Sequence, residues 1–525
     1  MARSLVLALA LVVALSYVPQ SHALLNNTIT QWVNATREVA RVQGLPNTLA
    51  IQEYAFVSVA IYRALEAGGA PEDLLAAYAA HTTLSTRFPV LQPKFDALLK
   101  AQVAGRSQAD LDKARAVAAP IAQVLIIERV DDPAVKYLPY KSKPAGTPYA
   151  YQLQPGQTFV LAPQLGDSIP FVWPKDKLRA FTENKDPAKG KVFSPPKEPA
   201  ELATVVDLGA RVSKGRTKFD NDTAFFWALG AGLGGGSSSV SGLWLEIAQR
   251  VLPVTLSLKE TALIHAKITT AFYDGYIACW QVKYRTDFWR PTTAVRQGWP
   301  GFAGIKDWQP NLANPNFPEY PSGHQCASGS ALAVLQRFLG KDAAKFTIIS
   351  DGAPDIGPRS YTSLQAAANE AADSRLFAGL HFNRSNYDGQ DLGRLVAEYV
   401  YDNFEKSPAV VGKAQAACAS PTLLGSKVAA AAAGNASASD DAPAAEADAK
   451  ASDKEAAADG AAADTAKAPA AGGAAADTAK APAASGAAAS KASGKDAAAG
   501  GAADAAKPTA AAKATAGGRR LLASY

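Results

Sequence analysis

Cysteine is scarce in this chain. Cys279, Cys326 and Cys418 are its only examples in 525 residues. They are too few and too scattered for a disulfide scaffold or a cysteine-built zinc site, and allow one bridge at most. Dense Lys/Arg runs are missing as well, and the net charge is a modest +6, which argues against a nucleic-acid partner. After the first two dozen residues no apolar run reaches the length of a membrane span. Strand patterns are sparse, so the body is expected to be all-α. Histidine is rare too. Past residue 23 only His81, His265, His324 and His381 remain, so a histidine in an unusual context carries weight.

The ends of the chain differ from its body. Residues 1–23 read as a secretory signal: Arg3 is the positive start, residues 5–15 are the apolar core, and Ser21-His22-Ala23 is a small-x-small cleavage site. The apolar core is too short to span a bilayer, so a secreted, extracellular protein is expected. Asn26, Asn34, Asn221, Asn383 and Asn435 each head an Asn-x-Ser/Thr triplet, in keeping with that route. Residues 419–525 are dominated by Ala, with Gly, Ser, Lys, Asp and Pro, and the segment 460–471 recurs at 473–484. Tyr525 is the only aromatic residue after Phe404. Without large side chains this tail cannot bury a core and is expected to be disordered. Its acidic and basic residues are equal in number, so the positive surplus lies before residue 419 and suits anionic ligands. The expected division is a signal at 1–23, a helical domain at 24–418 and a low-complexity tail at 419–525.

Within the domain, residues 28–123 show helical spacing of Ala, Leu and Val. One helix over 55–65 is ended by Gly68-Gly69, and another starts at Pro71. Residues 131–199 are proline-rich and predict long irregular structure with one short strand at 158–161. A long helix is expected over 257–287, and others over 242–252, 327–339, 364–379 and 389–404.

Three stretches carry chemistry. In Pro321-Ser322-Gly323-His324, Ser322 is a natural N-cap, Gly323 admits close approach of a ligand, and the first-turn N–H groups favour an anion. Lys283 and Arg290 lie seven residues apart, with Trp280 one turn before Lys283. Two cations and an indole fit an anion pocket with an apolar wall, while a solvated basic face with Lys283 paired to Asp287 is the alternative on this segment alone. Arg375 precedes Gly379, a natural helix stop, and Gly379 lets the chain reverse so that Arg375 and His381 face one point. Together these supply a Lys, two Arg, a Ser-Gly helix start and two His, a set that binds a tetrahedral oxyanion and offers both a ligand or nucleophile and an acid/base.

Lys283…Arg290-Pro291, Pro321-Ser322-Gly323-His324 and Ser374-Arg375…His381 resemble, in order and internal spacing, the signature of the acid phosphatase/vanadium-dependent haloperoxidase superfamily, also called type-2 phosphatidic acid phosphatases. The resemblance covers roughly residues 25–410 and implies a helical bundle of that type. It implies vanadate as cofactor, with His381 as the metal ligand, and Lys283, Arg290, Arg375, Ser322 and the Gly323 N–H neutralising the oxygens. His324 would move protons. Hydrogen peroxide, a halide and small organic acceptors would be the partners. The run Phe288-Trp289-Arg290-Pro291, with Trp280 three before the lysine and Phe317 five before the serine, is similar to the chloride-oxidising branch and implies a halide pocket at Trp280 and Phe317. Both aromatics would also serve as core residues. One position departs from the pattern: Ser385 stands where the family has an Asp. Ser385 through its hydroxyl, or Asp388, is expected to support His381, and Ser385→Asp to strengthen vanadate retention. The same residues imply a second chemistry, a soluble acid phosphatase working through a phosphohistidine at His381. A third reading is a secreted surface or matrix protein with an inactive site and the tail as its working part.

Overall fold

The computed structural model describes residues 24–411, except 136–138, 142, 184–190 and 231–235. All of these belong to one compact unit. The expected signal, the tail from 419, Cys418 and Asn435 fall outside the described residues. Fifteen α-helices make up the described chain. They are α1 Thr28–Val42, α2 Asn47–Ala67, α3 Glu72–Arg87, α4 Gln92–Gln102, α5 Gln108–Glu128, α6 Lys175–Thr182, α7 Pro199–Leu208, α8 Lys218–Phe226, α9 Ser239–Val251, α10 Leu258–Thr286, α11 Pro291–Gln297, α12 Gly323–Leu339, α13 Leu364–Phe377, α14 Asn383–Asn403 and α15 Pro408–Val411.

The architecture is built around α2 and α10. Each is buried on nearly every face, from Asn47 to Leu65 and from Thr261 to Lys283, as expected of helices in the middle of a bundle rather than on its surface. They pack on each other, and α10 also packs on α12 and α14. Local signals fix the start of α10: Ser257 and Glu260 form a reciprocal capping box. The α12–α14 crossing needs glycine, because a Cβ at Gly393 would stand 2.1 Å from the Cys326 carbonyl oxygen.

The proline-rich stretch is more ordered than its sequence predicts. It contains α6 and a short 3-10 turn, Pro163–Asp167, and α7 starts at its last residue. No strand forms at 158–161. Instead Leu161 N–H bonds the Asn316 carbonyl at 2.8 Å, and Asn316 Nδ2 bonds the Phe159 carbonyl at 3.1 Å. Asp274, buried on α10, pins the same region by accepting the N–H groups of Phe171, Val172 and Trp173 at 2.6, 2.9 and 3.0 Å. The only sheet among the described residues is a hairpin unforeseen in the sequence, β1 Ala343–Ile348 antiparallel to β2 Arg359–Ser363. No described helix is long and apolar enough to cross a membrane.

Candidate active site

The three sequence stretches meet at one end of α10. That helix stops at Thr286, earlier than Pro291 alone predicts, because Asp287 turns left-handed with φ 49°. Arg290 therefore reaches the site from a loop as the extended N-cap of α11, and not along one helical face with Lys283. Asp287 bonds Tyr140 and lies 3.3 Å from Lys143 Nζ, so it does not neutralise Lys283. The loop entering α12, whose Tyr320–Pro321 peptide is cis, carries Ser322 to the N-cap position. Ser322 N–H bonds the Ser385 carbonyl at 3.0 Å, tying this start to the first turn of α14. On the other side Gly379, with φ +72°, reverses the chain after α13, and the N–H groups of Leu380 and His381 bond back to the Arg375 carbonyl at 3.1 and 3.3 Å. A Cβ at Gly379 would also fall 2.2 Å from the Gly209 carbonyl oxygen.

Within this frame the polar groups have defined partners. Arg290 donates through Nε and Nη2 to the Phe317 carbonyl, both at 3.0 Å, and through Nη1 to the Leu380 carbonyl at 3.0 Å. Nη1 also lies 3.2 Å from His381 Nε2. A guanidinium only donates, so Nε2 is the bare nitrogen of His381 and Nδ1 carries the proton. Nδ1–H then donates to Glu319 Oε1 at 2.9 Å. Glu319 accepts two further bonds, from Phe382 N–H at 3.1 Å and Ser385 Oγ at 2.9 Å. Lys283 directs its donors to the carbonyls of Pro318 and Glu319, both at 3.0 Å, and of Pro321, stapling the loop that leads into Ser322. His324 Nε2 lies 3.0 Å from the Trp227 carbonyl and so carries the proton there, leaving Nδ1 bare in the neutral ring.

Several donors at this junction, Thr48 Oγ1 and Trp280 Nε1 among them, have no partner among the described residues. Ser322 Oγ and Arg375 Nε are both buried and unbonded among the described residues. Ser322 occupies the N-cap position, yet its hydroxyl does not cap the helix. A cavity opens beside them, lined by His324, Arg375, His381, Trp280, Phe317 and Gly323 among others. Trp280 and Phe317 pack at 5.2 Å between ring centroids. An added Cβ at Gly323 would meet the Trp280 ring at 3.3 Å, so glycine here lets the indole lie against the helix start.

Burial and crowding set the charges. Burial pulls Lys283 down to about 8, Arg290 to about 10 and Arg375 to about 9, with Arg290 adding to the shifts of Lys283 and Arg375. Burial, followed by Arg290, Lys283 and Arg375, holds His381 well below the ordinary imidazole range. Burial and Arg375 do the same for His324, against the pull of the Trp227 carbonyl. Both imidazoles are therefore neutral near pH 7. Burial raises the Glu319 carboxyl to about 7, opposed by Arg290 and Lys283.

Glu319 is the residue that sequence reasoning missed. Ser385 does not touch His381; it supports Glu319, which does. Asp388 is turned elsewhere, accepting from Tyr320 OH at 2.8 Å and lying 2.7 Å from Lys191 Nζ. The expectation that Ser385→Asp strengthens the site is reversed, because an Asp there would set a second carboxylate against Glu319. Asn47, Thr48 and Tyr276, on α2 and α10, also line the cavity and lie outside the three motifs. Among the described residues no three His, Cys, Asp or Glu side chains group to hold a metal ion.

Residues 263–408 match a family model described as the VCPO second helical-bundle domain. The fold is similar to that of the first bacterial vanadium-dependent iodoperoxidase, with a TM-score of 0.59 and 21% identity, over 72% of this chain and 96% of that one. It is similar to an apo-type bacterial vanadium-dependent chloroperoxidase, with a TM-score of 0.52 and 16% identity, over 70% of this chain and 94% of that one. A holo-type bacterial vanadium-dependent chloroperoxidase gives 0.50 and 16%, over 70% and 93%. At these identities the likeness is one of fold. No curated protein matches the chain.

Proposed function

We propose, for a chain with the fold of the vanadium-dependent haloperoxidase superfamily, that it is an exported peroxidase using vanadate to oxidise halide with hydrogen peroxide to hypohalous acid. The observation that carries this reading is the cradle itself. His381, with its bare Nε2, and Arg375, with its unpartnered Nε, line the cavity; the buried cations Lys283 and Arg290 lie 5.1 and 4.8 Å from the Phe317 ring of its aromatic wall, and Ser322, with its unpartnered Oγ, immediately precedes the lining residue Gly323. This donor set fits a tetrahedral oxyanion. His381 would ligate the metal. Ser322, Arg375 and the Gly323 N–H would bond the oxygens, and Lys283 and Arg290 would balance their charge. Vanadate, when bound, supplies a Lewis acid that activates peroxide without changing oxidation state.

The chain's own residues do the rest. Glu319 fixes the His381 tautomer so that Nε2 stays bare. His324, held neutral, can accept a proton at Nδ1 and return it. Trp280 and Phe317 keep water from one side of the cavity and give the halide an apolar wall.

The test is peroxide-dependent bromination by the exported protein with added vanadate, beside phosphomonoester hydrolysis. Bromination that phosphate inhibits is the expected result. Hydrolysis without bromination would favour the phosphohistidine reading, and bromination without vanadium would remove the cofactor. His381→Ala should abolish vanadate binding, whereas His324→Ala should spare binding more than turnover. Equal binding losses in both would contradict the assigned roles.

A further inference from the structure

The cavity has a second polar wall that the three motifs leave unused, formed by the start of α2. Asn47 and Thr48, its first two residues, face the cavity beside Tyr276 and Trp280. This start has no acidic residue in its first turn and no side-chain cap. The N–H groups of Leu49 and Ala50 bond the Pro46 carbonyl at 2.9 and 3.0 Å. Those of Asn47 and Thr48 have no acceptor among the described residues, so the positive end of a 21-residue helix is open.

Two hydroxyls add to it. Thr48 is 3% exposed, and its Oγ1 is buried without a partner. Tyr276 is settled by counting donors. Asn47 Oδ1 accepts from Ser239 Oγ at 2.6 Å and from Ser241 N–H at 3.4 Å, so the Asn47 amide nitrogen faces Tyr276 and donates to its oxygen. That bond leaves the phenol proton unused, and it has no acceptor among the described residues. The Asn47 amide thus clamps the helix start to the aromatic wall, where Tyr276 stacks on Trp280 at 5.0 Å. No carboxylate lines the cavity. Free donors converging on this wall with no carboxylate to meet them suit an anion. This wall carries no fixed cation of its own, and aromatic faces strip water from whatever enters, which favours a weakly hydrated monovalent ion.

We infer that the start of α2, with the Thr48 and Tyr276 hydroxyls, is a halide subsite facing the oxyanion cradle, selecting bromide and iodide over chloride. The name halide rests on the peroxidase reading; the anion site does not.

Halide binding by the full chain, without vanadium, is read from chloride NMR line broadening and its displacement by bromide, with phosphate added to fill the cradle. Thr48→Val and Tyr276→Phe each remove one hydroxyl with little change of volume. Each should weaken halide binding about tenfold, the loss of one hydrogen bond to a charged group, and leave phosphate binding unchanged. In turnover, the bromide KM should rise by the same factor while kcat changes far less. Unchanged line broadening in both variants overturns the proposal. So does a loss of phosphate binding together with halide binding, which would make the two residues merely structural. Bromide binding at this wall without any halogenation would refute the peroxidase reading and keep the anion site.

Discussion

Replacing Glu319 by Gln tests how His381 is held. Glu319 is fully buried and accepts three hydrogen bonds, one of them the Nδ1–H of His381 at 2.9 Å. Gln keeps the shape and can accept that proton through its amide oxygen, but it lacks the charge. A hydrogen bond to a charged group contributes about 1.5–3 kcal/mol and one between neutral groups about 1 kcal/mol. The difference, roughly 1.4 kcal/mol, is a factor of about ten in affinity. That matches the usual effect of losing a partner behind a metal-binding histidine, about 10–100-fold. Vanadate binding at about pH 8 should therefore weaken about tenfold in Glu319→Gln. The pH dependence sharpens the test. Burial raises this carboxyl to about 7, above the ordinary carboxylate range, so its charge is present above pH 7 and lost as pH falls through it. Protonated Glu319 resembles Gln, and the ratio of wild-type to variant affinity should close towards one below about pH 6. Vanadate's own titration cancels in that ratio. Equilibrium dialysis of vanadate across pH gives the measurement. Equal affinities at pH 8, or a ratio that grows on acidification, would refute the argument. Ser385→Asp is a second arm: with Oγ 2.9 Å from Glu319 Oε2, a carboxylate at 385 should weaken vanadate binding, not strengthen it.

Asp274→Ala should destabilise the fold by about 3–5 kcal/mol in chemical denaturation, since it strands two buried N–H groups and a part-buried one at about 1–3 kcal/mol each with partial relaxation; a change within about 0.5 kcal/mol would show that the 171–173 segment is held otherwise. Truncation near residue 418 should leave bromination unchanged, because every cavity-lining residue lies between Asn47 and His381, and a folded but inactive truncation would contradict this. Among the described sequons, mass spectrometry of the exported protein should find glycan on Asn26 before Asn383. Asn26 is exposed, whereas Asn34 shares a reciprocal amide pair with Gln249 and the Ser385 of the Asn383 triplet is buried on Glu319. High occupancy at Asn383 in active enzyme would show that the start of α14 is open to solvent.

The helices were legible where local chemistry decides them. The long helix expected over 257–287 is Leu258–Thr286, bounded by a capping box that can be seen in the sequence. Legibility failed where tertiary contacts supply the order. The helix Lys175–Thr182 lies in a proline-rich run anchored at residues 171–173 by Asp274, a hundred residues away along the chain. The hairpin Ala343–Ile348/Arg359–Ser363 has a register break after Ala343 that blurs its alternation. The start of α14 at Asn383 was hidden because Phe382 precedes it without a side-chain cap.

The site divides along the same line. Residues that meet the ligand in fixed spacing, such as Arg375 and His381 across one glycine turn, can be read from order alone. Residues that act by holding those cannot. Glu319 stands two positions before Pro321 in a loop with no periodicity, and the ring that it orients is 62 residues further on. Its one visible trace was the departure at Ser385: a family carboxylate was missing there, so its charge had to come from another part of the chain. Several acids stand in or near the three stretches, among them Asp287, Glu319 and Asp388. Burial and hydrogen bonding choose among them. Asp287 is taken by Tyr140 and Lys143, Asp388 by Tyr320 and Lys191, and Glu319 alone meets the histidine. Glu319 supplies the acceptor at His381 Nδ1 from the loop before α12, as expected when the requirement is an acceptor at that nitrogen and not a particular position in the chain.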